Sequence, residues 1–225
     1  MGVIEPPRYP TIPHLRSHVS MGKDDVLLDD QQVSDWLHAE VLVEEKLDGA
    51  NICLWNDDGK IRISGRGRDG ARDRGNQLGR LRAWAAQRSG HLLAEIVPGQ
   101  ALYGEWLWRQ HSVYYDALPD YLIGIDLWDR DDGFASVQER DAMLARAGIV
   151  LPPVLLEGRL ESTAALDRLL RSKSRYSSQR LEGLVLRRRD VRHELVKVVS
   201  PDFRRLDDSE WAGGRPLNLL EGQRP

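Results

Sequence analysis

Glu44-Glu45-Lys46-Leu47-Asp48-Gly49-Ala50-Asn51 closes an alternating apolar run that begins at Val41 and ends on a glycine turn. The period of two predicts a strand over 41–46, a turn at Asp48-Gly49 and a second strand over 52–55. Asn56-Asp57-Asp58-Gly59 then reads as a hairpin turn, with the return strand over 60–64. A lysine at the end of an apolar strand is partly desolvated. Desolvation lowers an amine's pKa and frees the neutral nucleophile, whereas Glu45 and Asp48 push the other way unless a divalent cation or a phosphate changes the local field. The plainer alternative is a surface lysine beside a hairpin turn.

Working outward, the chain has 225 residues, 41% hydrophobic and 30% charged, with 20 Gly and 11 Pro, the profile of a globular protein with one substantial core. The longest apolar run, residues 149–156, is broken by Pro152 and Pro153 and is too short for a membrane span. No apolar signal core opens the chain, so a cytoplasmic location is expected. Cys53 is the single cysteine and stands in an apolar stretch, which favours a buried small hydrophobe over a nucleophile.

The formal net charge of −3 conceals segregation. Residues 62–92 carry eight Arg against Asp69 and Asp73, and residues 171–192 carry eight basic residues against Glu182 and Asp190, so each is +6. Residues 115–141, with eight acids against Arg130 and Arg140, are −6. A polyanion could therefore be held locally. Only five of the 32 basic residues are lysines, namely Lys23, Lys46, Lys60, Lys173 and Lys197, so each invites a chemical reason.

The proline-rich start, with Pro6, Pro7, Pro10 and Pro13, reads as irregular up to about Glu40, apart from a helix over 30–38 with Trp36 and Leu37 inward. Helical spacing of Leu78, Leu81, Trp84 and Ala85 runs to a stop at Gly90, and further helices are expected over 137–147 and 162–170. Strands are expected over 102–108, 121–128, 184–187 and 194–199, and the tail from Gly213 as loosely held. Hairpins interleaved with isolated helices argue an α+β fold of mainly antiparallel sheets. The expected division is an N-terminal extension packed on the core over 1–40, one catalytic domain over 41–200 and a tail over 201–225.

Three further segments carry chemistry. Ser64-Gly65-Arg66-Gly67-Arg68 puts arginines among glycines past a strand end, where backbone and guanidinium can approach phosphates, though a solvated basic loop reads the same way. Leu102-Tyr103-Gly104-Glu105-Trp106-Leu107-Trp108 buries a carboxylate in an aromatic strand, which demands a partner. Glu182 opens the strand Gly183-Leu184-Val185-Leu186-Arg187, and Glu194-Leu195-Val196-Lys197-Val198 sets a lysine among valines.

Taken in order, these segments resemble the covalent nucleotidyltransferases, the superfamily of ATP-dependent RNA ligases, DNA ligases and mRNA capping enzymes. Lys46-Leu47-Asp48-Gly49 is similar to the nucleotidyl-lysine motif and Tyr103-Gly104-Glu105 to the third. Tyr121-Leu122-Ile123-Gly124-Ile125-Asp126 resembles the partner strand of the third motif. Glu182-Gly183-Leu184-Val185 resembles the fourth motif and Leu195-Val196-Lys197-Val198 the fifth. Asn51, where DNA ligases usually carry Arg, looks like the RNA ligase form. The run from Gly104 through Arg109, His111, Ser112 and Tyr115 to Tyr121 looks like a bacterial and phage RNA ligase branch.

The resemblance implies an adenylation domain with ATP in a groove between sheets. Since 28 residues follow Lys197, it also implies no OB domain. It further implies an ATP-dependent RNA ligase: Lys46 attacks the α-phosphate of ATP, AMP passes to an RNA 5′-phosphate, and a 3′-hydroxyl displaces it, with Mg²⁺ or Mn²⁺ assisting. Arginine could not replace Lys46, because a guanidinium stays protonated. The implied nucleotide-binding residues are Glu45, Leu47, Asn51, Arg66, Glu105, Ile125, Glu182 and Lys197, with Glu105 on the ribose. Glu182 and Asp48 are the implied metal ligands. Arg68, Arg72, Arg74, Arg187 and Arg188 would grip the polynucleotide backbone. An end-healing or RNA-binding partner protein could work beside such a small chain.

Two departures stand out. Ile125 occupies the position that stacks an aromatic ring on adenine, and the fifth motif carries one lysine where relatives often have two, a loss that Arg66 or Arg187 could offset. The alternatives are a minimal DNA or nick-joining ligase, a catalytically degenerate nucleic-acid-binding module, and, less favoured, a guanylyltransferase using GTP.

Overall fold

Two five-stranded sheets organise the molecule. A computed structural model describes residues 5–16, 25–65, 76–206 and 214–223. In chain order it contains β1 (His14–Arg16), α1 (Asp30–His38), β2 (Val41–Lys46), β3 (Ala50–Asp57), β4 (Lys60–Gly65), α2 (Gln77–Gln87), α3 (Ser89–Glu95) and β5 (Gln100–Trp106). There follow β6 (Leu122–Asp129), β7 (Gly133–Phe134), α4 (Val137–Arg146), β8 (Val154–Gly158), α5 (Thr163–Leu170), β9 (Gly183–Arg188) and β10 (Leu195–Val199). The first sheet has the order β1-β10-β9-β2-β8 and the second β4-β3-β5-β6-β7. All named pairings are antiparallel except β1 on β10.

Alternation divides each strand between two environments. Val41 and Val43 of β2 join Leu184, Leu186, Val196 and Val198 in a cluster covered by Trp36 and Leu37 of α1 and by Leu166 and Leu170 of α5. On the second sheet Ile52, Leu54, Leu102 and Leu127 pack under Leu81 and Trp84 of α2, Leu92 of α3 and Leu144 of α4. The two remaining faces look at each other. Glu44 and Lys46 lie on one, Asn51, Glu105 and Asp126 on the other, and Arg187 reaches across from β9 to Asp126.

The helix starts follow their caps. Asp29 and Gln32 form a reciprocal capping box at α1, and Ser136 and Glu139 repeat it at α4. Three expectations need correction. Gly90 does not end the helical region, because α3 restarts at Ser89 and buries Leu92. The proline-rich start is not wholly irregular, since it contains β1. The tail is not loose: Asn218 is fully buried, its Oδ1 accepting from Tyr115 N at 2.9 Å and its Nδ2 donating to Leu107 O at 2.7 Å. β8, unpredicted from the sequence, pairs along β2 as an edge strand just after Pro153, an allowed place for a strand to follow proline.

Candidate active site

Lys46 ends β2 opposite Gly183, with its side chain on the inter-sheet side. Its Nζ donates to Glu182 Oε1 at 2.5 Å. A Cβ on Gly183 would run into the Val198 carbonyl, so only glycine lets β9 pass this close to β10 behind that pair. Gly49 is similarly constrained, as a Cβ there would lie 2.6 Å from both Leu107 Cδ2 and Trp106 O. The turn after Lys46 is thereby pressed onto β5, and Gly49 N donates to Glu105 Oε1 at 2.9 Å. Asn51 is the cross-strand neighbour of Glu105 and shares its face.

Three carboxylates thus surround one ammonium. Burial pulls the Lys46 amine down, but Glu182, then Glu105 and Asp48, outweigh it and hold the amine above its ordinary value. Carboxylates push against desolvation here as the sequence led one to expect, with Glu182 and Glu105 acting beside Asp48 where Glu45 had been expected. Burial pushes Glu182 up to about 7 against the pull of Lys46, and Glu105 to about 7 for the same reasons. Glu182 Oε2 is buried and has no hydrogen-bond partner among the described residues. Asp48 is held differently: its Oδ2 accepts from the backbone N–H groups of Ser112 and Val113, and its own N–H donates to Tyr115 Oη at 2.8 Å.

The orphaned Glu182 oxygen beside surplus negative charge fits a divalent cation. No cluster of three metal-ligating side chains is found among the described residues, so the fit is to an ion sharing one or two carboxylates with water and phosphate.

The remaining sequence-derived residues divide. Lys197 lies on the inter-sheet side of β10, opposite the face of Val196 and Val198, with Nζ 3.2 Å from Asp25 Oδ1. Ile125 sits unpaired where the β5–β6 register shifts, and packs with Tyr9, Cys53 and Tyr103. Glu45 points to the opposite face of β2 from Lys46 and accepts from Arg175 N at 2.9 Å, which removes its side chain from the pocket. Leu47 is likewise a packing residue, buried with Leu107, Val113 and Tyr115.

Arg187 also needs correction. It is buried, bonding Glu44 Oε2 at 2.6 Å and Asp126 Oδ1 at 2.7 Å, so it is spent inside the fold and offers nothing to a polynucleotide. Arg188 is half-buried and paired with Asp190 at 3.2 Å. Arg66, Arg68, Arg72 and Arg74 lie outside the described residues. Sequence reasoning named Tyr115 only within the run 104–121, without its hydrogen bond to Asp48 N, and missed His14 and Asp25. Of the two missed residues, only Asp25 stood near a legible signal, the start of an acid-rich approach to α1.

An antiparallel α+β fold with a lysine and acids facing each other between two sheets defines the class: it is the fold of solved RNA ligases. A lysine-to-alanine variant of Naegleria gruberi RNA ligase with ATP and Mn superimposes with a TM-score of 0.57 at 17% identity, over 76% of this chain and 52% of that one. A lysine-to-methionine variant of that enzyme with AMP and Mn matches at 0.57 and 18%, and the enzyme with PPi at 0.52 and 17%, over the same shares of each chain. The chain spans about half the length of these structures. No curated protein sequence matches it. Residues 39–199 match the RNA ligase family model, and the chain belongs to that family.

Proposed function

We propose that the chain is an ATP-dependent RNA ligase that joins 5′-phosphate and 3′-hydroxyl RNA ends through AMP carried on Lys46. The observation that carries this reading is the 2.5 Å pair of Lys46 with Glu182, set beside Glu105 in a chain of the RNA ligase family.

In the first step a free Lys46 amine attacks the α-phosphorus of ATP. A P–N bond forms, the bond to the bridging oxygen breaks and pyrophosphate leaves. The amine must first lose a proton, and Glu182, poised near neutrality, is the adjacent acceptor. Glu182 and Asp48 would hold a divalent cation, which supplies charge neutralisation on the phosphates and weakens the hold of the carboxylates on the amine. Glu105 and Asn51, side by side, fit the ribose hydroxyls, with Ile125 against the base and Lys197 toward the phosphates. An oxygen of the RNA 5′-phosphate then displaces Lys46 from phosphorus. Finally the 3′-hydroxyl attacks the activated end and AMP departs. Membership of the bacterial and phage branch rests on residues 104–121.

The test is incubation with α-labelled ATP or GTP and Mn²⁺, then denaturing electrophoresis and a chase with 5′-phosphorylated RNA or DNA. Label from ATP that is absent in Lys46→Ala and passes to RNA is expected. Label from GTP alone, transfer to DNA alone, or no label in folded protein contradicts the reading.

A further inference from the structure

Beside Lys197 stands a group that this reaction has not used. β1 runs parallel to β10 and places His14 in register with Lys197. The imidazole is 3% exposed, and its Nδ1 has no hydrogen-bond partner among the described residues. Its Nε2 lies 3.3 Å from Asp25 Oδ1, the same oxygen that lies 3.2 Å from Lys197 Nζ. Burying a ring with one nitrogen unsatisfied and the other on a long contact is costly and asks for a reason. The position is also built rather than incidental. Lys197 N donates to Pro13 O at 2.8 Å, His14 N to Val26 O at 2.7 Å and Leu28 N to His14 O at 3.0 Å, fixing the backbone that carries the imidazole into the sheet edge.

We propose that His14 is a phosphate-binding residue which, with Lys197, forms a two-point site for the β and γ phosphates of the nucleotide or for the pyrophosphate they become. Asp25 holds the place of that anion until it arrives. The inference rests on the nucleotide-binding reading of the groove. One carboxylate oxygen lies between an ammonium and an imidazole, which is where a phosphate oxygen would bind. The fifth-motif segment offers a single lysine, and of the two guanidiniums that could offset the loss, Arg187 is consumed by Glu44 and Asp126, while Arg66 lies outside the described residues. His14 is the described side chain that stands beside Lys197 as a second donor.

The charged groups that act on the ring are Lys197 on β10, Asp25 ahead of α1 and Lys46 on β2. Burial, then Lys197, keep His14 below its ordinary value, and Asp25 opposes them with less effect. The ring is therefore neutral at pH 7 without ligand. An incoming polyphosphate reverses the local sign and raises its affinity for a proton, so binding takes up a proton and the benefit from His14 grows as pH falls.

The experiment is calorimetric titration of wild type, His14→Gln and Asp25→Asn with pyrophosphate, ATP, AMP and a 5′-phosphorylated RNA oligonucleotide at pH 6.5 and 8. His14→Gln is expected to weaken pyrophosphate and ATP about tenfold, the size of one charge-assisted hydrogen bond, and more at the lower pH. AMP and the oligonucleotide are expected to change little. Asp25→Asn, which removes the competing carboxylate, is expected to tighten pyrophosphate and decides the matter if His14→Gln does not fold.

No pyrophosphate binding by folded wild type, equal losses for AMP and ATP, a loss confined to the oligonucleotide, or no gain in Asp25→Asn would each overturn the inference. Pyrophosphate binding through His14 in a protein that takes no label from ATP would sink the ligase reading alone. Normal labelling of Lys46 with unchanged ATP affinity in His14→Gln would sink this inference alone.

Discussion

Two buried ionic clusters lie two residues apart on β2, and they are built to opposite rules. Around Glu44, charges are matched: Arg140 donates to its Oε1 at 2.7 Å, Arg187 to its Oε2 at 2.6 Å, and Arg187 continues to Asp126. Burial pushes Asp126 up, but Arg187 and His193 override it and hold the carboxyl at about 2. Around Lys46, three carboxylates share one ammonium, and burial leaves Glu105 and Glu182 at about 7. The matched cluster ties the two sheets and α4 together. The unmatched cluster stays short of positive charge, which in the proposed reaction a cation and the reacting phosphorus would supply. Complete pairing marks a structural device, and incomplete pairing marks the place where a ligand finishes the electrostatics.

Substitutions that exchange these properties give the largest effects. Glu182→Gln is expected to slow labelling of Lys46 by ATP on the order of a hundredfold, the range of a lost proton acceptor, while the melting temperature barely moves. A large loss of stability with normal labelling would reverse the two roles. Arg187→Met should do the opposite. It leaves Glu44 and Asp126 short of a partner and is expected to cost about 3–5 kcal/mol in urea unfolding.

The clusters also set opposite pH limits. Glu105 and Glu182 are raised in the folded state, so their contribution is fully present below the ordinary glutamate value and is lost as pH rises through about 7. Asp126 is depressed, so its contribution is present above the ordinary aspartate value and is lost as pH falls toward about 2. Ligand-free protein should therefore melt at progressively lower temperature between pH 5 and 8, and Glu105→Gln should flatten that slope. Mn²⁺ should restore stability most at the high end of the range. A flat profile in wild type would count against the unmatched site.

The smallest effect lies outside both clusters. Asn218→Ala removes two buried hydrogen bonds that hold the tail to Tyr115 and Leu107, and is expected to cost about 1–3 kcal/mol, read by thermal melting.

Much of this was legible in residue order. The alternation of 41–46, the helical stretches over 30–38 and 137–147, and the turn Asn56-Asp57-Asp58-Gly59 are local signals, and the elements they imply formed where expected to within a residue. Lys46, Glu105 and Lys197 share the inter-sheet side because strand parity sets each of them on the face turned away from its own helices, and Glu182, just ahead of β9, meets Lys46 there. The misreadings arose where function depends on parity or on distant partners. Glu45 is adjacent to Lys46 in sequence but opposite in direction, and a period of two predicts that once the strand is accepted. Arg187 looked like a phosphate ligand because its partners Glu44 and Asp126 are 143 and 61 residues away. His14 could not be found from sequence at all, since its place beside Lys197 depends on a three-residue parallel strand.

The most direct test of the charge imbalance is a carboxyl-carbon NMR titration of ligand-free protein with Glu105, Glu182 and Asp126 assigned. Both glutamates are expected to titrate near 7, while Asp126 stays ionised down to about 2. Midpoints for both glutamates at the ordinary value of 4.5 would mean that their charge is already balanced, and would contradict the account.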